Sequence, residues 1–261
     1  MNATNNLDYT GKVVLVTGGT KGIGAGIACR FLLAGASVVV CGRQAPDVMP
    51  SAEGREADFY PLDLRDLEAL NGLFAHISDR YDRLDVVINN AGGSPAAEAA
   101  TASPRFSESI IRLNLLVPLN VAQQANQIMQ QQNGGGAIVF IGSVSASRPS
   151  PGTAAYGAAK AGVLSLASSL AVEWAPKVRT LVISPGLIRT EQSHLHYGNE
   201  AGIAAVGQTI PAGRMGEPQD VADACLFAAS PMASYWSGTN LLLHGGGEKP
   251  AFLNSSTANK D

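Results

Sequence analysis

"KVVLVTGGTKGIG", residues 12–24, decides the fold: an apolar β-branched run, a turn rich in glycine, then the start of a helical pattern. Val13, Val14, Leu15 and Val16 leave no polar face, so KVVLVT (12–17) reads as a strand covered on both sides. Gly18, Gly22 and Gly24 follow with GxxxGxG spacing, a variant of the dinucleotide-binding fingerprint. In such a turn the first glycine permits the bend. The second lets backbone approach a pyrophosphate, and the third seats the helix on the sheet. The helix N-terminus behind it presents free N–H groups and a dipole that favour negative charge. Thr20, Lys21 and Ile23 complete the expected contact surface. A tight strand-to-helix turn needs glycine in any case, and that purely structural reading stands beside the nucleotide one.

The same alternation continues outward. Strands are expected at SVVVC (37–41), ADFYPL (57–62), LDVVIN (84–89), GAIVFIG (136–142), RTLVIS (179–184) and TNLLLH (239–244). Helical patterns lie near 22–34, 66–81, 107–132, 154–175 and 218–229. Continuous apolar strands joined by helical crossovers predict a parallel sheet of about seven strands with helices on both faces. That is a single α/β domain of the doubly wound, Rossmann type. Its expected span is 11–247, with a substrate lid at about 187–213, a flexible N-terminus at 1–10 and a C-terminal tail at 248–261.

With 261 residues, 46% of them hydrophobic, the chain is large enough for one substantial core. A net charge of −3 implies no broad cationic face for nucleic acid. Charged residues make up only 15%, below the usual quarter, which points to surface hidden in a homo-oligomer. Cys29, Cys41 and Cys225 lack CxxC spacing and read as reduced core thiols. No basic segment followed by an apolar leader is seen, nor any apolar run near 20 residues, so no signal peptide or membrane span is expected. The expected location is cytoplasmic, and no metal site is expected.

The second strand bears on cofactor choice. An acid at its end suits the ribose 2′-hydroxyl of NAD, and Arg suits a 2′-phosphate. Here the strand ends Cys41-Gly42-Arg43, and Lys21 adds a cation beside the turn. NADP(H) is therefore favoured over NAD(H), against the alternative of two solvated surface cations. Asp63, just past the third strand, is placed either to accept from an adenine amino group or to cap the helix starting near Arg65.

In "AAYGAAKAG" (154–162), Tyr156 and Lys160 stand four positions apart among alanine and glycine. On a helix they share one face with Cβ atoms about 6 Å apart. An ammonium at roughly 4–5 Å would favour phenolate by at most about 3–4 kcal/mol, lowering the tyrosine pKa by about 2–3 units. That is the range useful for general acid–base work. A tyrosine anchored at a helix edge beside a solvated lysine is the plain alternative.

Along nearly its whole length the chain resembles a short-chain dehydrogenase/reductase, similar to 3-oxoacyl reductases. The matches are TGGTKGIG at 17–24, Asp63-Leu64, NNAG at 89–92, Asn114, Ser143, YGAAK at 156–160 and PGLIRT at 185–190. The resemblance implies that Ser143 binds the substrate carbonyl and that Tyr156 exchanges its proton. Lys160 would lower the tyrosine pKa and bind the nicotinamide ribose, and Asn114 would hold a water linking Lys160 to solvent. Asp63 and Leu64 with Asn90, Ala91 and Gly92 would contact the adenosine. Pro185, Gly186, Ile188 and Thr190 would meet the nicotinamide. The implied activity interconverts a carbonyl and a secondary alcohol, with a 3-oxoacyl or cyclic ketone substrate. A steroid or hydroxyacyl dehydrogenase working oxidatively, a non-catalytic NADP(H)-binding regulator and a structural subunit are the rivals.

Two departures stand out. Similar proteins often close the last strand with an acid and two glycines, where this chain has His244-Gly245-Gly246-Gly247. The lid carries His194, His196 and Tyr197 but no Arg or Lys between Gln192 and Pro211, which favours a neutral or apolar substrate. The segment from Ala154 to Val172 is small or apolar around nearly its whole circumference, so its outer side is expected against a partner in a dimer or tetramer.

Overall fold

The structure, a computed structural model, describes residues 7–255 and 257. Seven parallel strands form the sheet: β1 (Val13–Thr17), β2 (Ser37–Gly42), β3 (Asp58–Pro61), β4 (Val86–Asn89), β5 (Gly136–Ile141), β6 (Val178–Pro185) and β7 (Asn240–Leu243). Their spatial order is β3-β2-β1-β4-β5-β6-β7, the doubly wound arrangement expected. The order reverses between β1 and β4. Ligands of such sheets bind outside the carboxyl ends of the strands at that switch point.

Alternation along each strand divides the core in two. Val13 and Leu15 of β1, with Val39 and Cys41 of β2, face one layer. Helices α2 (Leu67–Tyr81), α4 (Val117–Gln131) and α5 (Ala154–Glu173) cover that side through Phe74, Ala125 and Val163. Val14, Val16, Val38 and Val40 face the other layer, where α1 (Gly22–Leu33) and α8 (Pro218–Ala229) contribute Phe31 and Leu226. Such two-sided burial explains why the strands read as unbroken apolar runs. Cys41 and Cys225 are buried free thiols, and burial pushes Cys41 up to about 12. Helix α5 is long and apolar enough to cross a membrane by length and composition, but Ala159, Val163, Ala167 and Leu170 are buried in the domain.

Several expectations are corrected. The helix expected at 107–132 is α3 (Pro104–Ile111), a π-helical turn (Arg112–Leu116) and α4. Ser103 caps α3 by accepting from the Phe106 N–H, which moves its start earlier. Pro118 has no N–H, and its ring crowds the carbonyl four residues back, at Asn114, so a regular helix cannot run through. The lid contains two helices that the sequence did not announce, α6 (His194–Tyr197) and α7 (Glu200–Thr209). The flexible segment expected at 1–10 does not extend through Tyr9. Its ring packs edge-on against Phe31, and its hydroxyl donates to the Leu226 carbonyl at 2.7 Å. Residues 1–6 of that segment lie outside the described residues.

Candidate active site

Thr17, the last residue of β1, ties the glycine turn to the end of β4. Its buried hydroxyl oxygen accepts from the Asn90 and Ala91 N–H groups, each at 3.0 Å. The Asn90 amide returns two bonds, to the carbonyls of Thr17 (3.0 Å) and Gly18 (3.1 Å). A Cβ on Gly24 would stand 2.2 Å from the Gly18 oxygen, so the turn closes on itself only without a side chain there. Sequence reasoning passed over Thr17, although it is the first residue of the TGGTKGIG motif.

Lys21 occupies the N-cap position of α1 but makes no side-chain cap, and the first turn carries no acid. By contrast, Asp66, Ser103 and Asn199 cap α2, α3 and α7 with their side chains. The positive end of α1 thus has no side-chain cap from Lys21, and the Glu191 carboxylate lies beside Gly22 there, in a place that suits an anion. From it a cleft of about 460 Å³ runs past Ala91 and Gly92 to Ser143, Tyr156 and Lys160. Pro185, Gly186, Ile188 and Thr190 line it from the β6 side, with His196 and Tyr197 of the lid. Side-chain-free positions, an uncapped helix end and a neighbouring cation suit an extended molecule carrying phosphates. The residues present fit a nicotinamide dinucleotide.

Not every expected residue reaches the cleft. Leu64 is buried in the core layer of α2 and α4. Asp63 is gripped by Arg65, whose backbone N–H and Nε donate to its Oδ1 at 3.0 and 2.9 Å. That grip holds the Asp63 carboxyl down at about 2. Asp63 is not the helix cap: Asp66 is, accepting from Glu68 and Ala69. Arg43 is exposed at the end of β2, close enough for its charge to help lower Asp63. Thr20 lies nearby, its Oγ1 3.5 Å from where a Gly42 Cβ would stand.

Asn114 sits fully buried in the π turn, behind the cleft wall. Its two amide hydrogens go to the Gly93 and Ile110 carbonyls, both at 2.9 Å, and its oxygen accepts from the Gly93 N–H at 2.8 Å. Both side-chain donors are thereby taken, so a water at Asn114 would have to donate to the amide oxygen. Gly92 runs between Asn114 and Lys160, where a Cβ would come within 2.6 Å of the amide oxygen and 3.4 Å of the ammonium.

Ser143, Tyr156 and Lys160 do meet. Ser143 caps the short turn after β5 by accepting from the Ser145 N–H at 3.1 Å, and its hydroxyl lies near enough to Tyr156 to favour the phenolate. Lys160, 3% exposed, donates to the Ile141 carbonyl at 2.7 Å, with its nitrogen 5.6 Å from the Tyr156 ring centroid. Burial lowers the lysine to about 8. Burial also raises Tyr156, with Ser143 pulling the other way. The expected lowering of the phenol by its lysine is therefore not met: the ammonium turns to the strand end, and burial disfavours charge on both groups.

The family model described as enoyl-(acyl carrier protein) reductase matches residues 18–248. The chain belongs to the short-chain dehydrogenase/reductase family. Within it, the chain is 34% identical over 243 residues to a 3α-hydroxysteroid dehydrogenase of Mediterraneibacter gnavus, covering 90% of this chain and 96% of that one. It is 33% identical to the 3-oxoacyl-acyl-carrier-protein reductase of Chlamydia trachomatis, with the same coverage. Ligand-free aldohexose dehydrogenase of Thermoplasma acidophilum superposes with a TM-score of 0.84 at 31% identity, covering 92% and 94% of the two chains. This dehydrogenase/reductase is thus an oxidoreductase of the doubly wound fold.

A buried lysine at about 8 ties stability to pH. Its folded value is depressed, so the unfolded chain binds the extra proton between that value and the free-lysine range, and stability rises with pH there. Urea unfolding of wild type and Lys160→Met should show the wild type gaining roughly 2–3 kcal/mol on the variant between about pH 7 and 10. A constant difference would mean the ammonium carries no burial penalty.

Proposed function

We propose that the chain is an NADP(H)-dependent oxidoreductase that interconverts a ketone and a secondary alcohol, with Tyr156 as general acid and base. The carrying observation is the junction of Ser143, Tyr156 and Lys160 in the cleft that begins at the start of α1. Lys21, Gly22, Asn90, Ala91, Gly92, Ile188 and Thr190 would hold the cofactor, with Arg43 at its 2′-phosphate. When bound, the nicotinamide supplies a hydride donor or acceptor.

Everything else falls to the protein. Ser143 holds the substrate oxygen beside the Tyr156 hydroxyl. Burial keeps Tyr156 protonated at rest, ready to give its proton to an oxygen that gains negative charge. Once that proton has left, the Lys160 ammonium is the cation near enough to stabilise the phenolate. Asn114 acts as a positioning residue, pinning Gly93 and with it the Gly92 backbone that lines the cleft beside Lys160. The exposed outer side of α5, including Ala158, Ala161 and Val172 at 81% exposure, is the surface for a second copy in a dimer or tetramer.

Tyr156→Phe should lower turnover of a carbonyl panel by about 10²–10⁴-fold while NADPH still binds, as followed by NADPH fluorescence. Unchanged turnover would rule out the tyrosine mechanism. Arg43→Ala should weaken NADPH by about 10–100-fold and leave NADH nearly unchanged, with equal losses counting against the 2′-phosphate assignment. Light scattering at micromolar concentration should give a dimer or tetramer, and a monomeric mass would remove α5 as an interface.

A further inference from the structure

The lid has no Arg or Lys between Gln192 and Pro211, but the fold brings Arg148, remote in sequence, beside Leu187 and Tyr197. Beside the cleft, and sharing Gly186 with it, opens a pocket of about 320 Å³. Val144, Leu187 and Leu242 give it apolar walls, and Arg148, His244 and Glu248 give it polar ones. Tyr197, which lines the cleft, feels the charges of both Arg148 and Glu248, so the two spaces adjoin. Arg148 is also fixed relative to the reacting end. Its N–H bonds the Val144 carbonyl at 3.2 Å, within the short turn that Ser143 caps.

The guanidinium is poorly matched by the groups around it. Nη2 meets a single oxygen of Glu248 at 2.9 Å, and Nη1 donates to the adjacent Pro149 carbonyl at 3.0 Å. Nε is buried with no hydrogen-bond partner. Arginine binds carboxylates best through two parallel N–H groups, and a buried donor without a partner is costly. Glu248 is half exposed and lies at the start of the C-terminal tail, directly after three glycines. It is a partner that another carboxylate can replace.

We propose that Arg148 binds a carboxylate at the far end of an oxo-acid substrate, whose apolar body lies against Leu187 and Leu242. Glu248 holds the guanidinium until that carboxylate displaces it. This rests on the oxidoreductase reading of the Tyr156 site. It also modifies the expectation of a neutral or apolar substrate, which rested on the lack of Arg or Lys between Gln192 and Pro211.

The test pairs straight-chain oxo acids with their methyl esters. Binding to the NADP⁺-loaded protein is measured by calorimetry, and reduction of the same pairs with NADPH is measured separately. The carboxylate should bind the wild type about 10–100-fold more tightly than its ester. Arg148→Met should remove that preference while keeping ester affinity, and Arg148→Lys should fall between. Glu248→Gln should tighten the carboxylate alone. Equal affinities in the wild type, or equal losses for acid and ester in Arg148→Met, would overturn the proposal and leave Arg148 as an anchor for the tail. Arg148-dependent selectivity without turnover would support the anion site and overturn the oxidoreductase reading. Turnover without selectivity would do the reverse.

Discussion

A single buried cation constrains the whole functional end of the sheet. Removing an ammonium from water costs several kcal/mol unless a good acceptor is waiting. Lys160 finds one in the Ile141 carbonyl, at the last residue of β5. For that bond to form, the first turns of α5 must lie close against the strand end, and the β4 loop must pass beside the ammonium. Gly157 and Ala159, buried and small, meet the first demand. Gly92 meets the second, since any side chain there would strike Asn114 and crowd the lysine. Ser143 follows Ile141 by two residues, so the geometry that satisfies the lysine also delivers the serine to Tyr156.

The cofactor end answers to a different constraint, backbone satisfaction. The turn after β1 breaks the regular ladder, and its carbonyls at Thr17 and Gly18 need donors. Asn90 supplies both, while Thr17 accepts from the loop that carries Asn90. The floor of the cleft is thereby preformed, and the unpaired amides are those at the start of α1, facing the space where phosphates would lie.

The architecture was legible because two-sided burial writes itself as apolar runs, and in β1 and β2 successive residues do alternate between the two core layers. What stayed hidden depends on contacts between residues distant in sequence, or on which way a side chain turns. Two carboxylates, Asp63 and Asp66, stood within reach of one helix start, and only the grip of Arg65 on Asp63 decides between them. The i, i+4 spacing put Tyr156 and Lys160 on one face correctly. It carried no information about the strand carbonyl that draws the ammonium away from the phenol. The π turn follows from Pro118 acting four residues upstream, an effect that apolar periodicity does not register. Arg148 is remote from the lid in sequence, yet the fold brings it beside Leu187 and Tyr197 through the turn after Ser143.

The resulting site is organised by solvation more than by net charge. Each of its two ends carries a cation: Lys21 near the start of α1 at one, and Arg148, paired with Glu248, at the other. Between them, burial disfavours charge on both Tyr156 and Lys160. With the phenol protonated, the ammonium makes only a cation–π contact with its ring. The larger attraction arises as the proton leaves and negative charge appears on the phenol oxygen. The lysine therefore contributes little to holding a neutral substrate and most where negative charge develops. That differential is what lowers a barrier.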